Sequence, residues 1–163
     1  VRAQLDTVSG SILNIRVGGN DLSHAFGLRR PANRTIYDLR PVADILIDIV
    51  AAFGTQYVVS GPVWEYYSGE GWEEGLRREM ELDLLNGFTG KTVIHPNQIP
   101  VVNEMLRVSQ RDYADARAIL NWDTGSGSLV SASEDGGRMN EYNTHSRWAR
   151  RIVLRAERYG VRA

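Results

Sequence analysis

Cysteine is absent from this 163-residue chain, which removes disulfides and thiolate metal sites from consideration. No apolar run approaches the length of a membrane span, and no secretory leader is visible. Neither sign of charge dominates: 19 basic and 20 acidic residues are interspersed and leave a net charge of -1. Such a surface sets up no field favouring nucleic acid or an anionic membrane, so neither partner is expected. Also missing are a phosphate-binding glycine loop with its Lys-Ser/Thr, a G-x-S-x-G elbow and a zinc-type histidine pair. The absences leave the expectation of a soluble cytoplasmic protein.

What is present is enough for one domain with a real core, since 42% of the residues are hydrophobic. The chain opens VRAQLDTVSG, without Met, and reads as beginning partway through a larger domain. Ile12–Val17 is the first strand expected, ending in Gly18-Gly19-Asn20-Asp21. Asp38–Phe53 carries Val42, Ile45, Leu46, Ile49, Val50 and Phe53 at helical spacing, with Gly54 as its stop. Tyr57–Ser60 is a second strand, closed by Gly61-Pro62. Trp72–Leu85 reads as a charged amphipathic helix with Glu73, Glu74, Arg77, Arg78 and Glu79 on its wet side. The β-branched run Thr92–His95 is a third strand, and Ile99–Leu120 a third helix broken near Val108–Ser109. Thr124–Gly137 is rich in Gly and Ser and reads as a mobile connection. Met139–Tyr159 is a last helix, with Trp148, Ile152, Leu154 and Ala156 as apolar contacts.

Alternation of strand and helix predicts an α/β fold with a parallel sheet. Three strands are under half of an eight-stranded β/α barrel, whose usual length is about 250 residues. The expectation is therefore the C-terminal part of such a barrel, with open edges that invite pairing.

Chemistry gathers at the C-terminal ends of barrel strands. Behind the first strand, Gly18 and Gly19 let backbone approach a ligand, and Asp21 projects a carboxylate suited to a hard divalent cation. The competing reading is that Asp21 caps the following turn or helix. His95, Asn97 and Gln98 stand at the end of the third strand, where His95 is either a site residue or a satisfied, partly buried histidine. Arg29, Arg30 and Arg34 can grip a carboxylate or phosphate, or decorate a solvated loop. Trp64, Tyr66 and Tyr67 offer stacking faces for a ligand, or core and rim packing.

Together these segments resemble the citrate lyase β-subunit-like branch of the HpcH/HpaI aldolase and citrate lyase superfamily. The family's G-x-x-D-L is matched by Gly18-Gly19-Asn20-Asp21-Leu22, with Gly27 following. Its G-F-x-G-K-x-x-I-H-P-x-Q-I is matched from Gly87 to Ile99 without a gap. Its A-R-x-I-L is present as Ala116–Leu120, and a late G-x-M-[VI]-D corresponds to Gly137–Glu141. A D-x-E-G-L run of the family is replaced by Gly71–Leu76, and its late Asp by Glu141.

The resemblance implies a TIM (β/α)8 barrel, with the last three strands and helices in residues 1–122. Residues 123–163 would hold the Gly/Ser-rich connection and a C-terminal helical lid. It implies Mg²⁺ as cofactor, held by Asp21 and by a Glu in an I-E-T setting upstream of Val1, with a substrate-binding Arg on an earlier strand. Asp21 and Glu141 become the catalytic residues; Gly18, Gly19, His95, Pro96 and Gln98 become substrate-binding. The implied reaction makes or breaks a bond between a 2-oxo acid and an acyl-CoA, of the citryl-CoA or malyl-CoA type. The implied assembly is a homo-oligomer that includes the N-terminal half of the barrel. Two alternatives remain open: an aldolase acting on 4-hydroxy-2-oxo acids, and a catalytically idle barrel that binds a metabolite.

Overall fold

Where the apolar run before Gly18 meets a partner, it becomes strand. In the structure, a computed structural model describing residues 2–122 and 130–162, a short helix α1 (Arg2–Asp6) leads to β1 (Ile15–Arg16). The expected strand over Ile12–Val17 shrinks to these two residues because the ladder begins only where Ile15 N–H meets the Val58 carbonyl, at 2.8 Å. Helix α2 (Gly19–Ala25) follows directly, and then α3 (Arg40–Phe53), entered through a 3₁₀ turn at Ile36–Asp38. That turn is held by a capping box, in which the Thr35 N–H and hydroxyl both donate to Asp38. Strand β2 (Val59–Gly61), helix α4 (Trp72–Leu85), β3 (Gly90–Lys91) and helix α5 (Gln98–Met105) complete the series.

The three strands form one parallel sheet in the order β1-β2-β3, with Arg16 opposite Ser60 and Ser60 opposite Gly90. Helix α3 lays Val42 and Leu46 against Val17, Val59, Ile36 and Phe88, all buried, so one sheet face is dry. The third strand lies earlier than expected. Thr92 N–H still donates to the Gly61 carbonyl, at 3.1 Å, but β2 ends there at Pro62. With no partner carbonyls beyond it, Thr92–His95 leaves the ladder as a loop, and Ile94 is exposed.

The chain divides into two compact units, residues 1–105 and 106–163. In the second, the long helix expected over Ile99–Leu120 is interrupted at the expected place. Strand β4 (Val108–Ser109) pairs in parallel with the terminal β7 (Val161–Arg162). Ser109 then caps α6 (Gln110–Leu120), its hydroxyl accepting from Asp112 N–H at 3.0 Å. Strands β5 (Val130–Ala132) and β6 (Met139–Glu141) form an antiparallel hairpin, and α7 (Tyr142–Tyr159) packs on α6 through Ala116, Ile119, Ala149, Ile152 and Ala156.

The mobile connection expected over Thr124–Gly137 lies outside the described residues as far as 129, as does the expected boundary at 122/123. From Val130 onward it is hairpin, its turn fastened by Ser133 and Asp135. Leu154 is 65% exposed: it lies two residues from Ile152 and from Ala156, so it turns away from the buried stripe. Among the described residues, no helix is long and apolar enough to cross a membrane.

Candidate functional site

At the end of β1 the two glycines have different jobs. A Cβ on Gly18 would lie 2.4 Å from Asp21 Oδ2, so the bare backbone there makes room for the Asp21 carboxylate to fold back over it. A Cβ on Gly19 would collide with Pro62 and Ile36, at 2.5 and 2.7 Å. Gly19 is thus occupied by packing, and protein atoms fill the space a ligand would need. Asp21 sits in the first turn of α2, where the helix dipole favours negative charge. Gly18 is the cap of that helix, with no side-chain cap hydrogen bond. Asp21 is exposed, and its carboxylate makes no hydrogen bond or ion pair among the described residues.

His95, Pro96 and Gln98 occupy the loop between β3 and α5. The His95 ring stacks on Tyr67, with centroids 4.1 Å apart and planes 11° from parallel. Its Nδ1 accepts the Asn97 N–H at 3.2 Å, and Asn97 Nδ2 donates to the Tyr67 carbonyl, also at 3.2 Å. Gln98 is buried and fully committed. Its Nε2 donates to the Trp64 and Tyr66 carbonyls at 2.7 and 2.8 Å, and its Oε1 accepts the Ile94 N–H at 3.0 Å. Gln98 therefore locks the loop after β3 to the loop after β2, and both loops stand at the C-terminal ends of parallel strands. Pro96 is exposed at the crest of the turn that opens α5.

Beneath these loops lies a buried ionic network that sequence reasoning missed. Arg30 is 1% exposed and Glu79 0%, which corrects both the open arginine cluster and the wet placement of Glu79. Arg30 Nη2 donates to Glu79 Oε1 at 3.1 Å and to the Val63 carbonyl at 2.6 Å; Nη1 reaches Asn20 Oδ1 at 3.3 Å. Its Nε lies 2.9 Å from Glu79 Oε2, off the line of a hydrogen bond. Lys91, the only lysine in the sequence, bridges Glu79 Oε1 at 2.8 Å and Asp83 Oδ2 at 2.7 Å. Tyr37 donates to Asp83 Oδ1 at 2.7 Å.

Two cations thus face two carboxylates, as burial demands. Burial pushes the Asp83 carboxyl above its ordinary range, with Lys91 pulling the other way. Burial, and then the charge of Asp83, raise the Tyr37 phenol. The signal was legible in principle: Glu79 and Asp83 share the helical face of Leu76 and Met80, and carboxylates on a dry face require buried cations. Arg29 and Arg34 do remain outside, paired with Glu65 and Asp38. Trp64 is core, lying under Arg30 at 5.1 Å; Tyr67 is rim.

Glu141 belongs to the second unit. It precedes α7, its Oε2 accepting from Thr144 Oγ1 at 2.9 Å and its N–H donating to His145 Nδ1 at 2.9 Å. In that unit Arg138 pairs with Asp112 and Asp115 and lies over Trp148. Among the described residues, no group of three or more His, Cys, Asp or Glu is placed to hold a metal ion. A Mg²⁺ site needs only one or two carboxylates, with water and substrate completing six oxygens. A lone, exposed and unpartnered Asp21 fits one such position.

A sequence profile described as C-C bond lyase of the TIM-barrel fold matches residues 1–161. Over 74 residues the chain is 38% identical to an L-malyl-CoA/beta-methylmalyl-CoA lyase of Cereibacter sphaeroides, a stretch covering 44% of this chain and 22% of that protein. The corresponding enzyme of another strain of that organism is 36% identical over 74 residues, with the same coverage. The crystal structure of the protein CitE from Mycobacterium tuberculosis, in complex with magnesium, acetoacetate and coenzyme A, superimposes with a TM-score of 0.62 at 28% identity. That match covers 89% of this chain and 52% of CitE. The matched stretch therefore spans about a fifth of the curated relatives, and the structural match about half of CitE.

Proposed function

This chain belongs to the carbon–carbon bond lyase family of the TIM-barrel fold, and on that premise we propose that the protein carrying it is a Mg²⁺-dependent lyase joining or splitting a 2-oxo acid and an acyl-CoA. The observation that carries the reading is Asp21: a free carboxylate at the C-terminal end of a parallel strand, in the first turn of a helix, with no ion-pair partner among the described residues. Support comes from CitE, which holds magnesium, acetoacetate and coenzyme A, and from the malyl-CoA lyases.

Asp21 is the residue of this chain that would hold Mg²⁺. A bound Mg²⁺ supplies a Lewis acid for an oxyanion that develops as the carbon–carbon bond breaks. The chain's other residues position and enclose. The absent side chain of Gly18 leaves the Asp21 carboxylate its place. Gln98 fixes the loop on which His95 and Pro96 shape the mouth for the substrate. His95, stacked on Tyr67 and bonded to Asn97, is a rim residue and not a ligand of a hard cation. The family resemblance assigns Glu141, in the second unit, a catalytic role, which the variant below tests.

The test is Asp21→Ala in the full-length protein, with L-malyl-CoA as probe substrate and release of the 2-oxo acid as readout. The expected result is loss of Mg²⁺ binding by calorimetry and a fall in turnover of at least about 100-fold. Stability should stay within about 0.5 kcal/mol, because Asp21 is exposed and unpartnered. Glu141→Gln should lower turnover while leaving Mg²⁺ affinity unchanged. Unaltered Mg²⁺ binding in Asp21→Ala would sink the assignment.

A further inference from the structure

The two faces of the sheet differ. Ile15, Val17 and Val59 point to the face covered by helices, and Lys91 points to the same side, where it meets α4. Strand alternation and register put Asn14, Arg16, Ser60, Gly90 and Thr92 on the other face. Among the described residues of the three strands, Arg16 is the only ionisable group on that face. Arg16 ends β1, so it stands at the same end of the strand as Asp21.

The side chain of Arg16 does not hang free. Its Nε donates to Thr92 Oγ1 at 3.4 Å, and Thr92 lies just past β3. Parallel neighbours are about 4.8 Å apart, so the guanidinium has crossed over β2 to reach it. Ser60, midway, is buried and accepts instead from Asn14 Nδ2 at 3.3 Å. The tether uses only Nε. Among the described residues neither terminal nitrogen of Arg16 has a hydrogen bond or an ion pair. The other arginine at this end of the sheet, Arg30, is consumed by Glu79. A guanidinium held by one donor, with its two-pronged end open and no counter-charge, matches a carboxylate.

We propose that Arg16 is a substrate-binding residue that grips the carboxylate of the oxo-acid portion of the substrate, with Thr92 holding its guanidinium in place across the sheet. The proposal rests on the lyase reading of the site, and it names the chemical class that the open face selects: a small oxo acid in its ionised form. The same fork can also take a phosphate of a CoA moiety, so the test includes both sources of oxyanion.

The experiment measures binding to the full-length protein at saturating Mg²⁺, with three probes: acetoacetate, its methyl ester and coenzyme A. In Arg16→Met the dissociation constant for acetoacetate should rise roughly 10- to 100-fold, the loss expected for hydrogen bonds to a charged group. The ester and coenzyme A should bind as in the wild type. Arg16→Lys should fall between, keeping the charge but losing the fork. Thr92→Val, which keeps Arg16 and removes its tether, should weaken acetoacetate in the same direction by less. Equal weakening of acid and ester would show that Arg16 serves the fold, through an ion pair elsewhere in the protein, and would overturn the proposal. Weakening of coenzyme A alone, or no change with any probe, would overturn it too. Mg²⁺ titration of Arg16→Met should match the wild type. A wrong metal assignment therefore appears in the Asp21→Ala titration, and a wrong Arg16 assignment only in the acid-to-ester comparison.

Discussion

Replacing Lys91 by Met removes a buried ammonium that lies 2.8 Å from Glu79 and 2.7 Å from Asp83, while the methionine refills most of the space. One cation, Arg30, then faces two buried carboxylates. Breaking a buried pair from one side costs about 3–5 kcal/mol, a large share of the roughly 5–15 kcal/mol that holds a typical domain. The loss should depend on pH, and Asp83 sets the direction. Its carboxyl is already raised by burial and held down by Lys91. Without Lys91 the folded state binds the Asp83 proton still more tightly, whereas the unfolded chain releases it in the ordinary carboxylate range. Stability drawn from that proton is complete below the unfolded value and drains away as pH climbs through the folded one. The deficit of Lys91→Met should therefore be smallest near pH 5 and grow towards pH 8. Urea unfolding followed by tryptophan fluorescence, to which buried Trp64 beside Arg30 contributes, reads the loss. Raising the salt should change the result little, since buried pairs are weakly screened. A variant matching the wild-type midpoint across that pH range would refute the network's role.

Gln98→Leu should destabilise by about 1–3 kcal/mol, because it strands the buried Trp64 carbonyl and leaves the part-buried Tyr66 carbonyl and Ile94 N–H without their partner. Hydrogen exchange at Ile94 should quicken at least tenfold, and unchanged protection there would contradict the clamp. The β1 edge has no strand partner on its outer side among the described residues, so we expect it to be covered in the working protein. Produced alone, this chain should self-associate in light scattering or fail to fold; a well-folded, monodisperse 18.3 kDa monomer would contradict that.

The helices were legible where apolar residues recur on one stripe. Trp72–Leu85 was placed with its observed bounds, Arg40–Phe53 with two residues to spare, and the break at Val108–Ser109 where it falls. Strand limits were less so, because pairing sets them and not composition. Thr92–His95 has the β-branched character of a strand, yet β2 stops at Gly61 and nothing remains for it to pair with. The polarity of α4 misled for a related reason. Glu79 looks like a solvent-facing charge until Arg30 and Lys91, distant from it in the chain, arrive beside it. The positions singled out at strand ends do collect in the first unit, but the sequence did not separate the packing role of Gly19 and the clamping role of Gln98 from ligand contact. Arg16 went unremarked because a single arginine in a short apolar run carries no pattern. Its meaning depends on which sheet face it occupies.

The most direct test of the central claim is anomalous scattering from crystals of the full-length protein grown with Mn²⁺ in place of Mg²⁺. The account predicts an anomalous peak about 2.1 Å from an Asp21 carboxylate oxygen, with the His95 ring outside the coordination sphere. A peak held by other residues, or by His95, would contradict it.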